Sequence, residues 1–111
     1  MLYKFKSKST GDVIMLQPNG QRLLEIIGKD SATEHAAKGI LTPEQMPAAL
    51  AALEAAIARE EAEQKAAIAQ ALAEHKPPPK FEAISLRQRA LPLMNMLRLS
   101  EKAGHDVVWG V

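Results

Sequence analysis

The side chains that could do chemistry are spread along the chain and form no local motif. Three histidines, His35, His75 and His105, lie far apart in the sequence, in or beside predicted loops. Zinc ligands that come from one segment are usually only about two to five residues apart. The chain contains no cysteine, which excludes thiolate nucleophiles, Cys-ligated zinc and disulfides. We therefore predict no metal ligand, no cofactor and no catalytic residue, and we interpret the histidines as solvated loop residues.

A group of glutamates lies in an alanine-rich segment in the middle of the chain. Two carboxylates that act as acid and base must converge in a cleft, where their pKa values are driven apart. These glutamates instead share one predicted helix, so we interpret them as a solvated face. They are Glu54, Glu60, Glu61 and Glu63. The sequence also lacks the common nucleotide-binding, zinc-protease, serine-hydrolase and calcium-loop motifs.

Two predicted helix N-termini are the places where an unrecognised ligand would bind. Backbone N–H groups in the first turn of a helix bind anions. Asn19 is predicted as the N-cap of a short helix, and Ser85 as the N-cap of the last helix. Arg87 and Arg89 would add positive charge near Ser85. An enzyme or small-anion-binding protein with a site at these residues is one alternative function.

Charge is modestly segregated along the chain. Residues 1–30 carry five basic and three acidic side chains, and residues 77–111 carry the same numbers. Residues 31–76 carry four basic and seven acidic side chains. The ends are therefore mildly basic and the middle is acidic. Neither end approaches the strongly basic surface of a dedicated nucleic-acid-binding protein.

Lysines alternate along the first predicted strand. Lys4, Lys6 and Lys8 would point to one face of the sheet, and Tyr3 and Phe5 to the other. Proteins that bind single strands stack the bases on aromatic rings that stand among basic groups. Because rings and lysines are predicted on opposite faces, weak nucleic-acid binding through the lysine face is a second alternative, and we do not expect it.

Both ends of the chain are predicted strands, and they hold three of its four aromatic residues. Tyr3 and Phe5 lie in the strand at 2–6, and Trp109 lies in the strand at 106–111. Aromatic side chains bury the largest area per residue. We therefore expect the core to form where the termini meet in one sheet, with Trp109 as an anchor. A chain of 111 residues is long enough for one such domain.

A second strand and a short helix follow the first strand. The strand, Asp12–Gln17, contains four consecutive apolar residues, which predicts cover on both of its faces. The short connection predicts an antiparallel hairpin with the first strand. Gly28 ends the short helix that begins at Asn19. Residues 29–41 show no periodicity and predict a mobile loop.

A long helix occupies the middle of the chain. Half of residues 48–73 are alanine, without glycine or proline, which is a strong helix signal. Thr42 and Pro43 indicate a helix start, and Pro47 either kinks this helix or marks its true beginning. Large apolar residues become sparse after the first half, so we expect the remainder to project from the domain. The apolar positions predicted to form an interface are Leu50, Leu53, Ile57, Ile68 and Leu72.

The last third of the chain contains a spacer, a helix and a strand. The end of the long helix and a proline-rich spacer occupy about residues 62–82. Ser85 and Gln88 form a capping box, Pro92 should kink or split the helix that follows, and Gly104 should end it. The predicted order is β-β-α-α-α-β. This is an α+β domain with a small, mainly antiparallel, three-stranded sheet and helices on one face.

Three blocks of the sequence resemble a small family of bacterial proteins of about this length. They are MLYKFKSK with TGDVIMLQPNG, then TPEQMPAALAALEAAI, and finally SLRQRALPL with VVWGV. The resemblance spans nearly the whole chain and leaves the region at about 62–82 as its variable part. The family is an uncharacterised domain of unknown function found mainly in proteobacteria. The resemblance implies a bacterial single-domain protein and supplies no activity, cofactor or catalytic residue.

We expect the protein to be cytoplasmic. Its N-terminus has no apolar run of signal-peptide length, and no segment approaches the ~20 apolar residues that span a bilayer. The leading hypothesis is a non-enzymatic protein–protein interaction or assembly module. Its partner would be itself, as a homodimer through the long helix, or another protein. No membrane partner is predicted, and the sequence does not identify a small-molecule ligand.

Overall fold

The structure is a computed structural model that describes residues 2–29, 39–81 and 83–110. The strands are β1 (Leu2–Ser7), β2 (Val13–Leu16), β3 (Gly39–Leu41) and β4 (Val107–Trp109). The α-helices are α1 (Gln17–Ile26), α2 (Met46–Ala73) and α3 (Leu86–Ala103), and a 3-10 turn (Pro43–Gln45) precedes α2. The predicted α+β class is confirmed.

The four strands form one antiparallel sheet in the order β2-β1-β4-β3. Phe5 pairs with Trp109, so the two ends of the chain meet inside the sheet, as predicted. The predicted count of three strands was wrong, because β3 lies within the segment 29–41 that was predicted to be a loop. Three residues, one of them glycine, are too few to show strand periodicity. Residues 30–38, the rest of that predicted loop, lie outside the described residues.

The helices cover one face of the sheet, and the core lies between the two layers. Tyr3, Phe5 and Trp109 are all buried on this face, and the rings of Tyr3 and Phe5 lie 6.4 Å apart between centroids. The predicted core between the termini is therefore confirmed. The buried helix residues that pack with these rings in the core are Leu23, Leu24, Met46, Ala49, Leu53, Ile57, Leu86, Ala90, Leu93, Met94, Met96 and Leu97.

Helix α1 follows β2 without a loop. Leu16 is the extended residue before the helix, and Pro18 lies in the first turn. A proline fits there because its φ is already helical and its missing N–H would have no partner in the helix. The prediction that Asn19 is the N-cap was wrong, since Asn19 lies inside the first turn. Gly28 adopts φ 83° just after the helix, which confirms its predicted role.

Helix α2 begins at Met46, directly after the 3-10 turn. The Thr42 N–H donates to Oε1 of Gln45 over 3.1 Å, which stabilises that turn. Pro43 and Pro47 each lie in the first turn of their own helix. Neither proline therefore removes a hydrogen bond from the interior of its own helix, because the first N–H groups of a helix have no partner within it. Of the two alternatives for Pro47, a separate turn followed by the main helix is confirmed.

Only the first half of α2 packs into the core. Its buried residues all lie between Met46 and Ile57, whereas Ile68 is 45% and Leu72 is 76% exposed. At about 1.5 Å per residue, this helix is about 42 Å long. The molecule measures 51 × 29 × 22 Å, so the end of α2 projects, as predicted. We call residues 61–73 the arm.

Helix α3 is continuous through Pro92. The Gln88 N–H donates to Oγ of Ser85 over 3.2 Å, and the Ser85 N–H donates to Oε1 of Gln88 over 2.9 Å, which confirms the capping box. Pro92 is exposed and does not split the helix, because water can bond the carbonyl that the proline leaves unpaired. Gly104, with φ 73°, ends the helix as predicted.

Candidate interaction surface

The second face of the sheet is not covered by any of the described helices. Side chains along a strand alternate between the two faces, so each strand that buries one set of residues presents the other set outward. The strand register brings these outward residues side by side, with Leu2 opposite Leu16 and Lys4 opposite Ile14. We call this surface the open face. Its residues are Leu2, Lys4, Lys6, Ile14, Leu16, Ile40 and Val108.

Most of the aliphatic side chains on the open face are in contact with water. Leu2 is 60%, Ile14 is 54%, Leu16 is 60% and Ile40 is 45% exposed. Removing apolar surface from water is favourable by about 25 cal/mol per Å². A contiguous apolar patch on a monomer is therefore typical of a surface that binds another molecule.

Two lysines lie near the centre of the open face. They belong to β1, which is an inner strand of the sheet. Lys4 is exposed and Lys6 is half-buried. Lysine stems pack along apolar surface while their ammonium groups remain in water. The open face is therefore apolar with a positive stripe, and it suits a partner surface that combines aliphatic and acidic groups.

The open face corrects the prediction for β2. Val13 and Met15 pack against the core, whereas Ile14 and Leu16 are exposed. The prediction that this strand is covered on both faces was wrong for the single chain. Sequence analysis therefore missed the surface. The signal that could have found it is the alternation of β1, which places Leu2 beside Lys4 and Lys6 on the side away from the aromatic rings.

A cavity of about 560 Å³ adjoins the open face where the β1–β2 connection meets the end of α3. Lys6, Lys8 and His105 line it together with Asp12 and Asp106. The two carboxylates offset the two ammonium groups, so the cavity has no strong preference for an anion. It is an open cleft at the rim of the sheet.

A serine–histidine pair lies beside this cavity. Oγ of Ser9 is 2.7 Å from Nδ1 of His105. Such a pair can activate a nucleophile when a third group orients the histidine. Among the described residues, no hydrogen bond to the other ring nitrogen of His105 is present. The pair instead links the β1–β2 connection to the end of α3, next to the bond of 2.7 Å between Ser7 and the buried Ser100.

The residues predicted to bind an anion already have partners inside the chain. The Leu86 N–H, in the first turn of α3, donates to Oε2 of Glu60 over 3.2 Å. Arg87 donates two hydrogen bonds, of 2.9 and 2.8 Å, to the carboxylate of Glu61. Ser85 is engaged in its capping box. These contacts occupy the donors that an anion would need, and they argue against the predicted site.

The other two members of that predicted site do not complete it. Asn19 lies in α1, on a different helix from Ser85, and Arg89 is half-buried in α3. Anion binding at these four residues remains a prediction from the sequence, and we do not build a function on it.

Two exposed ion pairs bridge α2 and α3. Arg87 pairs with Glu61 at 2.8 Å, and Arg98 pairs with Glu54 at 3.1 Å. The hydrogen bonds from Arg87 lower the pKa of Glu61 below its ordinary value of 4.5, and the same contact raises the pKa of Arg87. The predicted interpretation of these carboxylates as a solvated face holds for Glu54 and Glu61, which additionally fix how the two helices align.

The predicted interface on α2 is divided by the structure. Leu53 and Ile57 are buried in the core of the chain itself, and Leu50 is half-buried. The spacing of Leu50, Leu53 and Ile57 also predicts a core-facing stripe, which is confirmed for Leu53 and Ile57. Because α1 and α3 pack against that part of α2, these two residues are not partly uncovered as the interface prediction required. Ile68 and Leu72, on the arm, are exposed as expected.

The model of a protein family, the domain of unknown function DUF1840, matches residues 1–109. The chain belongs to this family. The match confirms the resemblance seen in the three sequence blocks, and it assigns no activity, ligand or residue role to DUF1840. No curated protein and no solved structure was found to match the chain.

Two further observations describe what this DUF1840 chain contains. Across residues 2–29, 39–81 and 83–110, no helix is both long and apolar enough to cross a membrane. The same residues include no group of three or more histidine, aspartate or glutamate side chains placed to hold a metal ion. His75 is exposed and His105 is half-buried, and His35 lies outside the described part of the chain.

Proposed function

We propose that this DUF1840 chain is a non-enzymatic protein–protein interaction module that self-associates through the open face of its sheet. The main support for this proposal is that Leu2, Ile14 and Leu16 are exposed on that face. These side chains stand on a sheet whose other face packs against the core. A surface of this kind is ready to bind a partner without rearrangement, which lowers the entropic cost of association.

The charge distribution favours a second copy as the partner. The open face is built by β1, β2 and β4, which come largely from the mildly basic ends of the chain, together with β3. Helix α2 comes from the acidic middle. A second copy therefore carries surface of the sign that the lysine stripe attracts. The sequence predicted a homodimer contact through the long helix alone. In the proposed homodimer, the open face of the sheet takes part in the contact.

The experiment compares two pairs of substitutions that remove similar apolar surface. Ile14→Thr with Leu16→Thr alters the open face and keeps residues that favour strands. Leu91→Gln with Leu99→Gln alters exposed leucines on α3, away from the open face, and serves as the matched control. Light scattering over a wide range of concentration measures the mass of each protein against the 12.1 kDa of one chain.

We expect the parent and the control pair to rise above 12.1 kDa as concentration increases, and the open-face pair to stay at 12.1 kDa. A parent protein that remains at the mass of one chain at every concentration would refute self-association. A control pair that dissociates as readily as the open-face pair would show that the contact lies elsewhere.

The nucleic-acid alternative has less support from the structure. Lys4 and Lys6 do share the open face, but their neighbours there are aliphatic. Tyr3 and Phe5 are buried on the opposite face, so their rings cannot stack on bases.

A further inference from the structure

Two surfaces of this chain lack the layer that would normally cover them. The open face is a sheet without a helix, and the arm is a helix without a sheet. In an α+β domain each of these elements buries its apolar side against the other. The arm presents Ile68 and Leu72 one helical turn apart, which is the spacing that places both on one side of a helix.

The sizes of these two surfaces correspond. Four strands at a spacing of about 4.8 Å make a sheet about 19 Å wide. The arm, at about 1.5 Å per residue, is about 20 Å long. A single arm laid across the strands would therefore reach from one edge of the open face to the other.

The area of the open face indicates whether one arm–sheet contact is enough for a stable dimer or whether two are needed. Strands of three to six residues, as in this sheet, give the open face an area of roughly 300 Å². A stable complex buries about 800 Å² on each partner. One open face on its own is too small. A two-fold pair, in which each copy supplies both an arm and an open face, doubles the contact to roughly 600 Å² on each partner, which is the lower end of the range for specific complexes.

Charge disfavours packing of one open face directly on another. Lys4 and Lys6 lie on an inner strand, so two such faces in contact would bring four ammonium groups together near the centre of the interface. The arm is alanine-rich, which allows close approach to the sheet, and its charged residues, Glu61, Glu63 and Lys65, give it a net charge of about −1 rather than a positive charge. Packing of the arm on the open face therefore avoids the repulsion that two open faces in contact would create.

We propose that two copies of this chain exchange arms, so that Ile68 and Leu72 of each copy lie against the aliphatic residues of the other copy's open face. This inference rests on the proposed self-association and specifies what covers the sheet. The dimer then contains two equivalent contacts. In each contact, the arm of one copy lies on the open face of the other.

Cysteine pairing tests the proposal directly, because the chain has no cysteine of its own and every disulfide reports an introduced pair. A tagged Ile14→Cys protein is mixed with an untagged Ile68→Cys protein and oxidised gently. The matched control replaces Ile68→Cys with Leu99→Cys, which is exposed on α3 and outside the proposed contact. The tag separates mixed from like pairs by size.

We expect the Ile14–Ile68 positions to cross-link at least about tenfold faster than the Ile14–Leu99 positions. A second measurement uses Ile68→Gln with Leu72→Gln, which should weaken the dimer at least about tenfold, equivalent to ~1.4 kcal/mol. The melting temperature of the dilute monomer should not change, since neither residue belongs to the core.

The possible failures are separable. If the parent protein is dimeric but the tagged Ile14→Cys chains cross-link mainly to one another, the open faces pack together and the arm exchange is overturned while self-association stands. If the Ile14–Ile68 positions cross-link no faster than the Ile14–Leu99 positions, the arm does not cover the open face. If the parent protein is monomeric at every concentration, both proposals are wrong.

Discussion

The ring of Phe5 lies 5.7 Å from the indole of Trp109, centroid to centroid, at an interplanar angle of 52°. The two residues are direct partners across β1 and β4. Residues from the two ends of the chain therefore share one aromatic contact in the middle of the core, and the stability of the domain depends on it.

Trp109→Ala should destabilise the protein severely. Truncation of a buried aromatic residue costs about 3–5 kcal/mol, and the whole domain is held by about 5–15 kcal/mol. We expect a thermal melt to show a protein that is largely unfolded or aggregated near body temperature. Trp109→Phe should cost less, because no described group accepts a hydrogen bond from the indole Nε1. A Trp109→Ala protein that melts within a degree or two of the parent would contradict the assigned core.

Gly39→Ala should destabilise the edge of the sheet. Gly39 pairs with Trp109, and an added Cβ would overlap the indole at Cζ2. Forcing extra volume into packed surroundings typically costs about 1–3 kcal/mol. Gly11→Ala is the matched control, because no other atom lies within 4 Å of its added Cβ. Equal melting temperatures for the two variants would show that β3 does not pack on Trp109 as described.

Leu53→Ala and Leu72→Ala should separate the core half of α2 from the arm. Leu53 is fully buried, and its truncation should cost about 2–5 kcal/mol. Leu72 is 76% exposed, so its truncation should change the unfolding free energy of the dilute monomer by less than about 0.5 kcal/mol. Urea unfolding at low protein concentration measures both. A large loss for Leu72→Ala in the monomer would show that the arm folds back onto its own domain.

The pairing of Arg87 with Glu61 should be visible in titration. Because Arg87 holds the pKa of Glu61 below 4.5, the contact contributes stability above about pH 4.5, and that contribution is lost as pH falls through the lower folded pKa. NMR titration of the Glu61 carboxyl should give a midpoint below 4.5 that returns toward it in Arg87→Gln. An unchanged midpoint in that variant would show that the bidentate contact does not persist in solution.

Nucleic-acid binding is not expected from the open face. Any binding through Lys4 and Lys6 would rest on phosphate contacts and would weaken steeply as salt rises. We expect no retardation of labelled DNA or RNA at about 50 mM salt. If the parent protein retards the nucleic acid at this low salt concentration and the Lys4→Gln, Lys6→Gln double variant does not, nucleic-acid binding through the open face would be supported.

The parts of the fold that could be predicted are those that depend on interactions between residues close together in the sequence. The capping box of Ser85 and Gln88, the left-handed Gly104 and the alanine-rich α2 each depend on residues close in sequence. The alternation of Tyr3 and Phe5 also identified the buried face of β1. These features arise from backbone preferences and periodicity, which a single sequence contains.

The parts that could not be predicted depend on contacts between distant segments. Strand β3 exists because it pairs with β4, and its three residues carry no periodic signal. Asn19 resembles an N-cap, but the helix already begins at Gln17, with Pro18 in its first turn. The spacing of Leu53 and Ile57 predicted a core-facing stripe, but how completely α1 and α3 cover them depends on packing that is invisible in the sequence. For the same reason the open face was missed, since four consecutive apolar residues do not show which face is covered.

The position of β1 between β2 and β4 has a consequence for biosynthesis. A polypeptide emerges from the ribosome N-terminus first, yet Phe5 gains its partner only when Trp109 has been made. Until then the hairpin of β1 and β2 lacks its neighbour β4, and the apolar surface that β4 would cover stays exposed, which favours aggregation. Contacts between residues so distant in sequence also slow folding. We therefore expect the core to be completed only once β4 has been synthesised.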